Sequence, residues 1–430
     1  MSHNRIVQRI ETILAGGPKD YPTVDDTATA REPAVRLPLP FAEFITLMAL
    51  LMCLTALSID IMLPSLPDIA AALNVTDLSQ LPLIISLYMG GLAVGQLFWG
   101  PLADKYGRRR PLLAGLVVFA LASLVAATSQ SFHFLIAARF LQGFAGAAGR
   151  IISMAVVRDL FAGRQMARVM STIMMVFILV PILAPALGQG IVLFGTWRWV
   201  FLVLLLVSLT GLAWSGLRLP ETRAPDAPRF TVAAAFRLVM GTRITLGYMI
   251  AAGFMFGCLV SYIASAQQIF AGSYSLGKLF PLAFGGVACA MAAASFTNSR
   301  LVQKLGMRRL SHTALTGFLI VSAVLAIIAY LGKPPLAVTL GGLGLCFFLY
   351  GMVLSNFNAI AMQPVGQAAG MAASLIGAYT TATGALFGTV VARQFADGPL
   401  ALLTGFALLA FCALLTVFLT EGQNGLFRGE

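Results

Sequence analysis

Charged side chains are scarce in this chain: 28 Lys and Arg with 16 Asp and Glu make up 10% of 430 residues, against 59% hydrophobic. Water-soluble domains carry roughly a quarter charged residues, so a mean hydropathy of +0.89 excludes one. Histidine is scarcer still. His3, His133 and His312 stand far apart, leaving no metal-ligand spacing and no nucleophile–base arrangement, so no metal, no cofactor and no enzymatic activity is expected. Cys53, Cys258, Cys289, Cys346 and Cys412 lie in apolar stretches without disulfide spacing and read as reduced packing residues. No short apolar core lies near Met1, where about forty mostly polar residues come first, so the first apolar run is expected to remain in the mature protein.

What the chain has in abundance is apolar runs of bilayer length. A spanning helix needs ~20 such residues, and twelve runs qualify. Spans 1 to 6 cover about 42–63, 81–100, 111–128, 133–156, 168–193 and 198–217; spans 7 to 12 cover about 243–269, 277–299, 311–331, 335–362, 367–392 and 398–420. With both termini in the cytoplasm, 22 of the 28 Lys and Arg share that face, while Arg198, Lys278, Lys333 and Arg393 lie on the other. Basic loops resist translocation, so this is the expected orientation in an inner membrane. It also accounts for the net charge of +12, and no nucleic-acid partner is expected.

The expected divisions are a cytoplasmic tail over 1–40, a six-helix bundle over 41–217, a cytoplasmic linker over 218–242, a second bundle over 243–420 and a tail over 421–430. In the first tail Ile6, Ile10, Ile13 and Leu14 recur at helical spacing, compatible with a surface helix or with a disordered segment. ADKYGRRR at 103–110 aligns with VQKLGMRR at 302–309, sharing Lys, Gly, Arg and Arg. Two related halves, each ending its second helix in a basic turn, suit a transporter that rocks about a central site. Gln303 stands where the first copy has Asp104, so a charged lock at this turn is expected in the first half alone.

Three ionisable residues fall inside the spans, where they are functional candidates by default. Asp60 lies near the outer end of span 1, Arg139 a short way into span 4, and at ~1.5 Å per residue they sit ~5 and ~9 Å from the outer ends of their helices, close enough in depth to pair. That pair is either a permanent neutralised contact or a switch between bound proton, bound cation and salt bridge. Arg150, eleven residues on and nearly on the same face, either lines the cavity, with Glu43 as partner, or snorkels to the inner headgroups. Gln142 follows Arg139 on a polar face. Opposite it, Tyr262, Tyr350, Asn356, Asn358 and Tyr379 are expected to form a polar wall of the substrate cavity, each also explicable as ordinary interhelical hydrogen bonding.

The turn after span 2 resembles the Gly-x-Leu-Ala-Asp-x-x-Gly-Arg-Arg signature of major facilitator transporters, matched by Gly100, Leu102, Ala103, Asp104, Gly107, Arg108 and Arg109. SIDIMLPSLP around Asp60, ARFLQG around Arg139, Arg158-Asp159-Leu160, Ala184-Pro185, Thr196-Trp197-Arg198-Trp199 and Leu219-Pro220-Glu221-Thr222 are similar to the drug:proton antiporter branch, more narrowly its Bcr/CflA group. The resemblance is dense over about 45–222 and thinner beyond. It implies the all-α major facilitator fold, twelve transmembrane helices in two pseudo-symmetric six-helix bundles. It implies export of small organic molecules in exchange for protons, with Asp60 as coupling carboxylate, Arg139 as its modulating partner, and a cytoplasmic gating motif at Gly100, Asp104, Gly107, Arg108 and Arg109. Pro181, Pro185 and Gly188 form the antiporter bend, and function as a monomer is expected. The pattern departs at Gln189, where a second glycine is usual, and at Met52, where some relatives keep another acid; the latter leaves neutral and zwitterionic substrates open. Efflux of a metabolite such as a nucleoside or sugar is the alternative, and a non-transporting sensor a remote one.

Overall fold

The structure, a computed structural model, describes residues 39–223, 232–394 and 398–422. The N-terminal segment with its helically spaced isoleucines, part of the linker and the end of the C-terminal tail lie outside the described residues. Among the described residues, twelve helices are long and apolar enough to cross a membrane. In the first half they run Phe41–Asp60, Pro82–Tyr106, Arg109–Thr128, Phe132–Leu160, Gly163–Phe194 and Arg198–Arg218, as spans 1 to 6. Spans 7 to 12 run Arg243–Gln267, Phe280–Leu305, Met307–Leu331, Leu336–Met362, Ala369–Arg393 and Leu400–Glu421.

The ends depart from the apolar runs for local reasons. Span 1 stops at Asp60 because Pro64 and Pro67 follow, and the chain continues as a short turn and the helix Leu66–Ala72. Spans 2 and 4 continue past their apolar stretches to Tyr106 and Leu160, carrying Asp104 and Asp159 as helical residues. A further helix, Val232–Gly241, occupies the linker, where only a polar connection is expected from sequence.

Packing follows one pattern twice. Span 1 packs on spans 5 and 6, span 2 on 4, and span 3 on 4 and 6; span 7 packs on 11 and 12, span 8 on 10, and span 9 on 10 and 12. The halves meet through spans 2 and 11 and through spans 5 and 8, which the same exchange interchanges. Glycines set the closest approaches. A Cβ on Gly91 would fall 1.9 Å from the Phe140 carbonyl oxygen, and one on Gly143 1.9 Å from that of Tyr88. Spans 2 and 4 therefore touch backbone to backbone, which small residues permit in a bilayer. Large apolar side chains such as Leu206, Leu282 and Leu331 remain exposed on the outside, as lipid-facing residues do.

Candidate functional site

Arg139 is held entirely by the first half. Its Nη2 donates to the Ser58 carbonyl of span 1 at 3.0 Å, its Nη1 to Gln142 Oε1 at 2.5 Å, and its Nε to the Ile84 carbonyl of span 2 at 3.4 Å. The guanidinium lies 4.3 Å over the Tyr88 ring, a favourable face for a cation. Tyr88 in turn donates to the Thr55 carbonyl at 3.1 Å, so spans 1, 2 and 4 are cross-tied around one buried cation. The expected pairing of Arg139 with Asp60 is not formed. Similar depth brings the two into one neighbourhood, but the guanidinium of Arg139 is turned to two backbone carbonyls and Gln142, which take three of its five N–H donors.

Asp60 is 3% exposed, and among the described residues its carboxylate has neither a hydrogen bond nor an ion pair. Buried charges are ordinarily paired. Tyr88 of the first half and Tyr262 of the second both lie within electrostatic reach of Asp60, so the acid lies near groups of both halves.

The other expected cavity residues separate. Gln142 is buried and donates to Ser123 Oγ of span 3 at 2.7 Å while accepting from Arg139, so it supports Arg139 from within the bundle and does not line a cavity. Arg150 is half-buried, shares the neighbourhood of Tyr88 and has no partner among the described residues. Glu43 is not that partner: it accepts from Arg218 Nε and Nη2 at 2.9 Å each and from Trp214 at 3.0 Å. In the second half Tyr262 stacks on Phe284 at 5.3 Å and lies 4.7 Å from Phe347, which meets Tyr350 at 5.5 Å. The hydroxyls of Tyr262 and Tyr350 are both buried without a partner. Asn356 instead donates to Asn298 Oδ1 at 2.7 Å, binding span 10 to span 8. Asn358 is exposed, two residues further round the helix. Tyr379 lines an apolar cleft with Val94, Met249 and Phe236 of the linker helix, away from the polar wall expected for it.

Span 5 runs unbroken through Pro181 and Pro185. A Cβ on Gly188 would fall 1.9 Å from the Ile61 carbonyl oxygen, so span 5 touches the chain one residue beyond Asp60. Gln189 does not spoil this approach, because it points into a different cleft.

The basic turn is a four-part cluster. Arg108 Nη1 donates to Asp104 at 2.5 Å and its Nε to Asp159 of span 4 at 2.8 Å. Glu221 accepts from the backbone N–H groups of Arg108 and Arg109 at 2.7 and 3.2 Å. Gly107, at φ 89°, leaves room for that carboxylate, which a Cβ would meet at 2.3 Å. Burial disfavours the charge of Glu221, but four backbone N–H donors outweigh it and hold the carboxyl below its ordinary range. Burial likewise opposes the charge of Arg108, yet Asp159 and Asp104 hold its guanidinium above the usual value. All these contacts lie within the first half, so the lock ties spans 2, 4 and 6 together. Gly100 of the motif faces the other half, near Ser374.

The second half has its own acid after all. Gly306 repeats the turn at φ 78°, and Glu421, at the end of span 12, accepts from Arg308 Nε at 2.7 Å and Tyr248 Oη at 2.8 Å; Tyr248 also meets His312 Nε2 at 2.9 Å. The missing acid at Gln303 is replaced from a different helix. Sequence reasoning gave no role to Tyr88, Asp159, Glu221 or Glu421. The alignment of the ends of spans 6 and 12, Glu221 against Glu421, was the available signal.

Asp104 is 45% exposed at its side chain and Asp159 20%. Exposed pairs contribute ~0–1 kcal/mol, so Asp104→Asn is expected to slow exchange by at most about fivefold without changing substrate affinity. Asp159→Asn should slow it more. Counterflow rates and equilibrium binding for the two variants check this, and a large affinity loss in Asp104→Asn would contradict it.

Two six-helix halves related by one packing pattern are the architecture of membrane transporters built from internal repeats. Residues 48–390 match the model of the Major Facilitator Superfamily, and the chain belongs to that family, as a transporter and not an enzyme. The Bicyclomycin resistance protein homolog of Haemophilus influenzae is 35% identical over 399 residues, covering 90% of this chain and 98% of that one. Multidrug resistance protein D of Escherichia coli is 30% identical over 200 residues, 46% of this chain and 50% of that protein. Among solved structures, the xylose transporter XylE from E. coli superposes with a TM-score of 0.69 at 14% identity, covering 88% of this chain and 97% of that one. At that identity the likeness concerns the fold alone.

Proposed function

We propose that this chain is a drug efflux transporter that exports small organic molecules across the cytoplasmic membrane in exchange for entering protons, acting as a monomer with both termini in the cytoplasm. The observation that carries the coupling is the Asp60 carboxylate, buried near groups of both halves and without a partner among the described residues. Ionised, it holds an uncompensated charge that a proton, or a donor on the substrate, relieves. Because only one of the two satisfies it at a time, each biases the same rocking equilibrium. Arg139 acts here as a positioning residue, anchoring span 1 at Ser58 beside the acid. Arg150 and the unpartnered hydroxyls of Tyr262 and Tyr350 are donors that a substrate can engage.

The names of the relatives favour drugs as cargo, bicyclomycin first. The test is purified protein in liposomes with an imposed pH gradient and bicyclomycin or another drug present. Drug-dependent collapse of the gradient, with the drug accumulating against its own concentration, is expected. Drug movement that ignores the gradient would sink the proton-coupled reading.

A further inference from the structure

At the end of the bundle opposite the basic turns, a cleft of about 670 Å³ opens between the two halves. Gln189 of span 5 lines it from the first half; Gln267, Gln268 and Ser273 line it from the second. The last two bound a π-helical turn, Gln268–Ser273, a geometry frequent at functional sites. Gln268 is 9% exposed, and its Nε2 donates across the seam to the Leu78 carbonyl at 3.1 Å. Its Oε1 is buried and accepts nothing, and Ser273 Oγ is buried without a partner as well. Both residues line the cleft while these two atoms sit just beneath its surface, a standing cost removed when a turn of the side chain brings the atom to an arriving donor.

We infer that this cleft binds a neutral small molecule carrying several O–H or N–H donors. Gln268 Oε1 can only accept, Ser273 accepts or donates, and Gln189 and Gln267 offer both kinds of group. Asp68 and Lys278, also on the lining, are of opposite sign and select no net charge. Proline, leucine and valine make up much of the remaining wall, and the volume suits a drug-sized ligand. The glutamine that departs from the antiporter bend thus has its place here. As a station on the export route the cleft rests on the function proposed above; as a binding site it is testable without transport.

The test uses full-length protein in nanodiscs without a pH gradient, its five native cysteines removed and Ala271→Cys introduced as reporter on the cleft wall. Labelling by a water-soluble maleimide is timed with uridine or D-xylose, and with the fully O-methylated form of each. At least one donor-bearing probe is expected to slow labelling at millimolar concentration, its methylated form is not, and Gln268→Leu should weaken that protection roughly fivefold. Val192→Cys, on the facing helix, repeats the measurement should the first reporter misfold. No protection by either probe at either reporter, or equal protection by the methylated forms, overturns the inference. Protection without pH-driven transport would remove the export reading and leave the site; transport without protection would do the reverse.

Discussion

Asp60→Asn is expected to abolish accumulation driven by a pH gradient while leaving the amount of folded protein unchanged. The side chain is 3% exposed and unpartnered, so replacing it with a neutral group of the same shape removes no contact and relieves a buried charge. Asparagine imitates the protonated acid permanently. In the proposed mechanism the halves then lose the ligand whose arrival and departure couples them to the gradient, and substrate exchange at equal pH on the two sides is expected to persist where the substrate does not use the carboxylate. Gradient-driven uptake into inverted vesicles, with variant and wild type at equal protein level, decides the matter. Undiminished accumulation by the variant would show that the proton travels by another route. Arg139 does not pair with Asp60, so the coupling step does not require that ion pair to break.

The second large effect is steric. Gly188→Leu should eliminate transport, and Gly188→Ala should lower it severely, because even one methyl group meets the Ile61 carbonyl oxygen at 1.9 Å. Backbone cannot move aside as a flexible side chain can, and overpacking costs ~1–3 kcal/mol when the structure does yield. Separating spans 1 and 5 would also displace Asp60, the residue before Ile61. Gly190 has no atom within 4 Å of its would-be Cβ, so Gly190→Ala serves as the control and should retain full transport. Equal loss in both variants would show that glycine is needed here for some reason other than close packing.

Depth along a helix brings Asp60 level with Arg139 and Arg150 level with Glu43, and helical spacing puts Gln142 one turn beyond Arg139. Depth is a count of residues and survives in one dimension. Which face of the helix a residue occupies relative to its neighbours is not, because in a bilayer lipid and protein interior are equally apolar and the apolar pattern does not mark the inward face. Thus Gln142 turned out to reach Ser123, and Asn356 to reach Asn298, inside their own bundles. Tyr379 met the linker helix, an element that the polar composition of its connection concealed.

The sequence by itself determined the twelve spans, the pairing of basic turns at 103–110 and 302–309, and the rarity that makes Asp60 and Arg139 conspicuous. These follow from transfer energies and from charge, which act residue by residue. Tertiary structure alone decided that Asp60 has no partner among the described residues, that Arg139 is bound to backbone carbonyls, and that Glu421 answers for Gln303 from another helix. It also placed Gln189 across from Gln268 in one cleft. Each of these depends on how helices rotate and meet, and that is settled by close contacts such as Gly91 on Phe140 and Gly188 on Ile61, which join residues remote in the chain.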